Sequence, residues 1–296
     1  MIQYFKKQGP RDLQGSPDIR IIGPRSAGKT TFMAALARWA NPKSDSPILS
    51  VTPFGDDAVR LIQLAKDILE QGLTLAPTRK DSDANNLPLY SLLIELKAAF
   101  PIARDIKFQI SCREYAGEII KDLRSGESTI DLSSYFDDSA NSSGLLLLLD
   151  GSSREDRNYS QAFARLQTEL AERLIARDIS LSNYRIAIVF NKAELNQVWI
   201  HRHQIEKFVN LKFPETKATL QQWSRIWGCS VNYFFCSAFG MKGNPPQPNF
   251  KTISKDGGGT YGVIANPSVW RPFGLVAPIY WLYTGKDDKR LRDLSK

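Results

Sequence analysis

The sequence predicts an α/β fold: a doubly wound, mostly parallel sheet with helices on both faces. Residues 145–150 and 186–190 are unbroken apolar runs, which are typical of parallel strands buried on both faces. Residues 159–178, between them, have the spacing of an amphipathic helix. A β-branched run at 19–22 is followed by a helical stretch at 31–39. Strands and helices therefore alternate along the chain, as a doubly wound sheet requires.

The remaining predicted elements extend this sheet. Two β-rich runs, 89–96 and 106–111, predict one antiparallel hairpin at the sheet edge. A helix near 215–227 precedes a strand at 232–236. Another helix, at 58–71, ends before Gly72 and has one broad apolar face made by Val59, Leu61, Ile62, Leu64, Ile68 and Leu69.

Loops and boundaries follow from Pro, Gly and polar residues. Residues 41–53 predict a loop, and residues 73–87 are typical of a mobile loop. We expect a basic N-terminal segment at 1–17, a main domain at 18–240 and a C-terminal extension at 241–296 docked on that domain. Within this extension the Gly/Pro-rich stretch at 240–259 predicts a linker or flexible loop, and residues 261–296 predict one helix.

Composition excludes several classes of protein. Hydrophobic residues make up 42% of the 296 residues, enough for an ordinary core. Three cysteines without repeated spacing argue against a disulfide framework or a zinc site. The sequence shows neither a secretory signal nor a transmembrane segment, so we expect a cytoplasmic protein.

The net charge of +8 lies at the two ends of the chain. Residues 1–25 carry five basic groups against two acidic ones, and residues 241–296 carry nine against four. Basic ends can contact acidic partners, but aromatic residues are not interleaved with the basic ones as in single-strand binders. Nucleic acid is therefore an unlikely partner.

The most specific motif is a phosphate-binding loop of the form G-x-x-x-x-G-K-[ST] between the first strand and the first helix. In this motif, glycines let successive backbone N–H groups converge on phosphate oxygens. The lysine reaches the β- and γ-phosphates, and the hydroxyl that follows can bind Mg²⁺. We expect the nucleotide to contact Gly23, Pro24, Arg25, Ser26, Ala27, Gly28, Lys29, Thr30 and Thr31.

Three further motifs follow in order at the ends of predicted strands, the edge at which such sheets bind ligands. They are Glu-Tyr-Ala-Gly at 114–117, Asn-Lys-Ala-Glu at 191–194 and Cys-Ser-Ala at 236–238. With the phosphate loop, this set resembles the P-loop GTPases of the translation-factor-related (TRAFAC) and Ras-like class over about residues 18–240. The sequence Tyr-Ala-Gly-Glu at 115–118 and the basic C-terminal extension look closest to those of bacterial double-GTPase (DO-GTPase) domains.

The resemblance implies a role for each matching residue in binding GTP or GDP with Mg²⁺. Asn191 and Lys192 would pack on and brace the base, and Glu194 would accept hydrogen bonds from the guanine N1–H and amino group. A carboxylate suits guanine because it accepts from two donors at once. In the Ser237–Ala238 loop, the Ala238 N–H would reach the guanine oxygen.

At the phosphate end, the resemblance implies that Thr30 and Glu114 bind Mg²⁺, Glu114 through a water. Gly117 would offer its N–H to the γ-phosphate. The switch threonine that completes the magnesium shell is assigned to Thr78, with Thr74 as the alternative.

Five positions depart from, or add to, the family pattern. Glu114 and Glu194 stand where aspartate is usual, and Glu118 stands where a water-orienting glutamine is usual. A carboxylate at Glu118 would repel the γ-phosphate, which predicts slow intrinsic hydrolysis. For Arg25 and Arg113 we expect side chains that point to solvent; a built-in arginine that stabilises transferring charge is the alternative.

The sequence therefore predicts a GTP-binding protein that hydrolyses GTP slowly and works as a nucleotide switch for a protein partner or an activating protein. One alternative is a structural module that binds nucleotide without turnover. Another is a P-loop ATPase or kinase that uses Asp150, at the end of the run of five leucines, as its magnesium ligand.

Overall fold

The computed structural model describes residues 18–38, 46–72, 81, 83–98, 105–126, 131–254 and 260–292. A seven-stranded sheet runs through its centre. Its strands are β1 (Asp18–Ile22), β2 (Ile48–Phe54), β3 (Leu89–Leu96), β4 (Ile106–Glu114), β5 (Gly144–Asp150), β6 (Arg185–Asn191) and β7 (Ser230–Phe235).

The spatial order of these strands is β2-β3-β4-β1-β5-β6-β7. β1 is parallel to both β4 and β5, and β6 and β7 continue the parallel part. Only β3 runs against its neighbours within this sheet. The parallel register brings the carboxyl ends of β1, β4, β5, β6 and β7 to one edge of the sheet, where ligands bind in folds of this class.

Helices cover both faces of the sheet, so the predicted doubly wound fold is confirmed. They are α1 (Lys29–Ala37), α2 (Asp56–Gln71), α3 (Glu118–Ser125), α4 (Ser133–Ala140), α5 (Asp156–Ala176), α6 (Asn196–Trp199), α7 (Ile205–Lys212), α8 (Pro214–Trp227), α9 (Val276–Thr284) and α10 (Lys289–Arg292). Successive residues of β5 enter opposite cores: Leu146 packs with α1 and α9, and Leu147 packs with α5 and α8. This alternation follows from the two-residue period of a strand. None of the helices in the described residues has the length and hydropathy needed to cross a bilayer.

The prediction of a loop at 41–53 is wrong from residue 48 onward, where β2 forms the edge of the sheet. Ile48 and Val51 are buried, although a Pro and two Ser residues interrupt the apolar alternation that would predict a strand. Pro53 is tolerated because an edge strand does not need every N–H for the ladder. The hairpin of β3 and β4 is confirmed, but β2 displaces it from the edge.

Helix α2 ends as predicted, with Gly72 in the left-handed conformation at a φ of 61°. Its apolar face is narrower than predicted. Val59 is 44% exposed and Ile62 38% exposed, whereas Leu61, Ile68 and Leu69 are buried. The apolar residues that are buried are those on the side of α2 that faces the sheet.

The C-terminal predictions need the largest correction. Residues 241–254 are not a linker: they form β8 (Met241–Lys242), β9 (Gln247–Pro248) and β10 (Phe250–Ser254). The segment from 261 onward is not one helix, because β11 (Thr260–Ile264) pairs with β10 before α9 begins. Helix α9 packs against β5, β6 and β7. The domain boundary at residue 240 stays a prediction.

Candidate functional site

The phosphate-binding loop joins the end of β1 to the start of α1. Two backbone conformations shape it: Ser26 has a φ of 64°, and Gly28 has a φ of 88°. A Cβ atom on Gly28 would lie 2.5 Å from Nδ2 of Asn191, and one on Gly23 would lie 2.1 Å from the Leu148 carbonyl oxygen. Glycine is therefore required at both positions, for conformation at Gly28 and for close approach at both.

Lys29 lies over this loop. Its Nζ atom donates to the Gly23 carbonyl at 2.9 Å and to the Pro24 carbonyl at 3.2 Å, and the residue is only 6% exposed. Burial lowers the pKa of Lys29, whereas the carboxylates of Glu114 and Glu118 act in the opposite direction. A phosphate group beside the ammonium would favour its charged form.

Thr30 and Glu114 supply two oxygen atoms beside the loop. Oγ1 of Thr30 donates to Oε1 of Glu114 at 2.9 Å, and Glu114 is buried. Hydroxyl and carboxylate oxygens suit Mg²⁺, which usually keeps several waters and phosphate oxygens in its shell. No group of three or more His, Cys, Asp or Glu in the described part of the chain could hold a metal on its own. The pair therefore fits a magnesium ion whose other ligands come from the nucleotide and water.

Gly117 brings the second motif against the phosphate loop. A Cβ atom at this position would lie 2.4 Å from the Arg25 backbone nitrogen. The next residue, Glu118, begins α3, and its Oε1 atom lies 3.9 Å from Nη1 of Arg25. The Arg25 side chain is 74% exposed, which agrees with the expectation that it points to solvent.

Arg113 does not point to solvent, and this expectation is wrong. Its Nη1 atom donates to Oδ1 of Asp138 at 2.6 Å in a buried ion pair. Asp138 also accepts two hydrogen bonds of 2.6 Å from Arg20 and one of 2.6 Å from the Tyr115 hydroxyl. Arg113 therefore belongs to a buried network that holds Tyr115, the second residue of the Glu-Tyr-Ala-Gly motif, against α4.

Asn191, at the end of β6, links the third motif to the phosphate loop. Its Nδ2 atom donates to the Ala27 carbonyl at 2.8 Å, and its Oδ1 atom accepts from the Cys236 thiol at 3.4 Å. Lys192 follows with a φ of 61°, an unusual conformation for a residue with a side chain. The Asn191 side chain contacts the phosphate loop, whereas Nζ of Lys192 donates to Oδ2 of Asp150.

Glu194 is a buried carboxylate with one unsatisfied oxygen. It is 3% exposed, and its Oε2 atom has no hydrogen-bond partner in the described part of the molecule. Burial raises the pKa of Glu194; a hydrogen bond from Ser237 and the charge of Lys192 act in the opposite direction. An unpaired buried oxygen costs folding free energy unless a ligand supplies a donor. The residue therefore has the properties of a ligand-binding group.

The Ser237–Ala238 loop is fixed by the C-terminal extension. The backbones of Ser237 and Phe273 exchange hydrogen bonds of 3.0 and 3.1 Å. The indole N–H of Trp270 donates to the Ala238 carbonyl at 2.8 Å. No local sequence signal connects residues 270–273 with this loop, because the contact is long-range.

One cavity of about 550 Å³ brings the motifs together. This volume is within the usual range for ligand pockets. Among the residues predicted from the sequence, its walls contain Arg25, Ser26, Gly28, Lys29, Thr30, Thr31, Glu114, Gly117, Glu118, Asn191, Lys192, Glu194 and Ala238. The predicted residues Gly23, Pro24, Ala27 and Ser237 lie next to it without lining it.

Several wall residues were missed by the sequence reasoning. They come from the end of α2, the β10–β11 hairpin and the residue after Ala238, namely Ile68, Gly72, Phe250, Thr252, Tyr261, Gly262 and Phe239. A signal for the hairpin exists: Asp-Gly-Gly-Gly at 256–259 separates two short β-rich runs. The contribution of α2 has no such local signal.

Asp150, the alternative magnesium ligand, is engaged outside this cavity. Its Oδ2 atom accepts from Nζ of Lys192 at 2.5 Å, and its Oδ1 atom accepts from the Ser152 backbone and hydroxyl at 2.8 and 2.6 Å. Thr30, which supplies the hydroxyl of the phosphate loop, is hydrogen-bonded to Glu114 instead of Asp150. Thr78 and Thr74, the candidates for the switch threonine, lie outside the described residues.

Comparison with known proteins gives structural likeness only. No family model and no curated protein matches the chain. Among solved structures, the signal recognition particle receptor SRb-GTP/SRX complex from Chaetomium thermophilum is similar at 14% identity and a TM-score of 0.39, over 77% of this chain and 93% of that one. A structure of Sup35 complexed with GDP has 13% identity and a TM-score of 0.34, over 77% of this chain and 39% of that one. These values are too low to assign a function, which has to come from the residues of the site.

Proposed function

We propose that this protein binds GTP and GDP with Mg²⁺, hydrolyses GTP slowly, and uses the two states to control a protein partner. The observation that carries the proposal is the shared cavity, which is lined by residues of the phosphate loop, the Glu-Tyr-Ala-Gly motif, the Asn-Lys-Ala-Glu motif and Ala238. These motifs lie far apart in the sequence and come together at the carboxyl ends of the strands.

The phosphate end suits a triphosphate with its metal. Lys29 would neutralise phosphate charge, and the N–H groups of the loop would donate to phosphate oxygens. Thr30 and Glu114 would hold Mg²⁺, which would neutralise the charge on the transferring phosphoryl group. Gly117 lies close enough to the loop backbone for its N–H to serve the terminal phosphate.

The base end suits guanine. Glu194 has a buried, unsatisfied carboxylate oxygen in the cavity wall. Guanine presents two adjacent donors to such a group, and adenine does not. Binding of the base would compensate for the desolvation of the carboxylate, so discrimination between the two purines follows from the same residue.

Slow hydrolysis is inferred from Glu118. This carboxylate lies in the cavity wall near the phosphate loop, 3.9 Å from the Arg25 guanidinium. A negative charge there repels the terminal phosphate and does not orient the attacking water as an amide does. We therefore expect Glu118→Gln to raise the rate of phosphate release.

The test is titration of the purified protein with GTP, GDP and ATP by calorimetry in the presence of Mg²⁺. We expect GTP and GDP to bind and ATP to bind at least tenfold more weakly, roughly the effect of one charged hydrogen bond. Lys29→Ala should abolish triphosphate binding, and Lys121→Ala, an exposed lysine on α3, should not. Equal affinity for the two purines would refute the guanine assignment, and GTP binding by the Lys29 variant would refute the site.

A further inference from the structure

The β10–β11 hairpin forms one wall of the candidate nucleotide cavity. Phe250, Thr252, Tyr261 and Gly262 line the same cavity as Lys29 and Glu194. The hairpin therefore faces the volume in which the proposed function places the nucleotide.

Contacts place this wall at the base end of the cavity. Phe239 directly follows Ala238, and its ring centroid lies 6.0 Å from that of Phe250. A Cβ atom on Gly262 would lie 3.2 Å from Cε2 of Phe239. The hairpin is thus packed beside the loop that carries Ala238.

The wall is anchored at both of its ends. Next to α2, a Cβ atom on Gly72 would meet Ile253 at 2.9 Å, Val263 at 3.1 Å and Tyr261 at 3.2 Å. At the other end, Asn249 donates from its backbone to the Gly240 carbonyl at 2.9 Å. Val263 is fully buried, so the hairpin is packed onto the domain.

We propose that this hairpin contacts the nucleoside part of the bound nucleotide, the ribose and the outer face of the base, and adds to the affinity for GTP and GDP alike. The inference rests on the proposed function. Aromatic side chains such as Tyr261 and Phe250 offer flat apolar surfaces suited to a base or ribose. Because the nucleoside is common to both nucleotides, the contribution does not depend on the γ-phosphate.

The experiment measures GDP and GTP affinity by calorimetry for two wall variants. Tyr261→Ala removes an aromatic contact and should weaken both nucleotides by about tenfold, within the range for loss of an aromatic–base contact. Thr252→Trp fills the cavity from an exposed strand position and should weaken both by a similar or larger factor. Lys251→Ala, on the same strand but outside the cavity wall, should bind as the unchanged protein does.

Thermal unfolding of each variant without nucleotide controls for folding, and Thr252→Trp keeps the test valid if Tyr261→Ala destabilises the hairpin. Unchanged affinity in Thr252→Trp would overturn the inference, as would a loss confined to GTP. If the unchanged protein binds neither nucleotide, the proposed function itself fails. If it binds both and the wall variants match it, only the hairpin inference fails.

Discussion

The side-chain amide of Asn191 donates a 2.8 Å hydrogen bond to the carbonyl of Ala27 and thereby joins the end of β6 to the phosphate loop. Both residues are buried, so this carbonyl relies on Asn191 for its partner. The same amide nitrogen lies where a side chain on Gly28 would have to be. Through this bond, the base and phosphate ends of the cavity are parts of one rigid unit.

Asn191→Ala should therefore destabilise the protein and weaken nucleotide binding. The Ala27 carbonyl would be left buried without a partner, which costs about 1–3 kcal/mol of unfolding free energy. Urea denaturation measures this loss. Asn196→Ala, an exposed position at the start of α6, serves as the control and should change the free energy by less than about 0.5 kcal/mol. Equal effects of the two substitutions would contradict the bracing role.

The affinity for GDP should depend on pH through Glu194. Burial raises the pKa of this carboxyl above its ordinary value, and the guanine donors require the charged form. Acidification should therefore weaken GDP binding at a higher pH than an exposed carboxyl would. Calorimetry over a pH series measures the shift, and Glu194→Gln should bind weakly with a flatter profile.

The free energy of unfolding gives a second, independent measure of the ionisation of Glu194. A raised pKa means that the folded protein binds more protons than the unfolded chain, so Glu194 lowers the stability as the pH rises through that range. Without nucleotide, Glu194→Gln should be more stable than the unchanged protein at pH 7, by about 1 kcal/mol or more, because the amide carries no charge for burial to penalise. The difference should shrink at acidic pH; a less stable variant at neutral pH would argue against it.

The magnesium ligand can be distinguished by a pair of substitutions. Glu114→Gln should abolish the gain in GTP affinity that Mg²⁺ provides, because the Thr30–Glu114 pair supplies the protein oxygens. Asp150→Asn removes only a partly exposed pair with Lys192, worth about 1 kcal/mol or less, and should keep the gain. Titrations with Mg²⁺ and with a chelator give the two values. The reverse pattern would favour the alternative ligand Asp150.

Trp270→Phe should loosen the loop that carries Ala238. The substitution keeps an aromatic ring near Arg38 and removes the N–H that donates to the Ala238 carbonyl. We expect a loss of about 0.5–1.5 kcal/mol in unfolding free energy, together with faster GDP release. Trp227→Phe is the matched control for GDP release, because its ring packs with Trp223 on α8. Stopped-flow displacement of GDP would show whether the two variants differ.

Asp138→Asn should be the most destabilising of these substitutions. Asp138 neutralises the buried guanidinium groups of Arg20 and Arg113, and removal of one partner from a buried ion pair costs about 3–5 kcal/mol. Asp137→Asn is the control. The carboxyl of this neighbouring residue is exposed, so its substitution should cost less than about 1 kcal/mol. Thermal or urea unfolding compares the two.

The pH dependence of this network has the opposite sign from that of Glu194. Burial acts to raise the pKa of Asp138, but hydrogen bonds from Arg20 and Tyr115 outweigh it and lower the pKa. The stabilisation is therefore fully present above the ordinary carboxyl range and is lost as the pH falls through that range toward the lowered pKa. Asp138→Asn should reduce the acid sensitivity of unfolding, and an unchanged acid transition would contradict this.

Local patterns were sufficient to predict the sheet, its principal helices and the glycines of the phosphate loop. Runs such as the five leucines of β5 and the spacing of Gly23, Gly28 and Lys29 are readable without tertiary information. Strand β2 was missed because Pro and Ser interrupt a short edge strand. The burial of Arg113 was missed because its partner, Asp138, lies 25 residues away on another element. The β10–β11 wall was missed because its contacts with α2 span most of the chain.

The C-terminal anchor of the Ala238 loop has a consequence for how the protein is made. Translation delivers the phosphate loop before Trp270, Phe273 and α9, which follow it by more than two hundred residues. Until then the last strands of the sheet lack their apolar cover. We expect a nascent chain to capture nucleotide only after this segment has been made and has packed on the sheet.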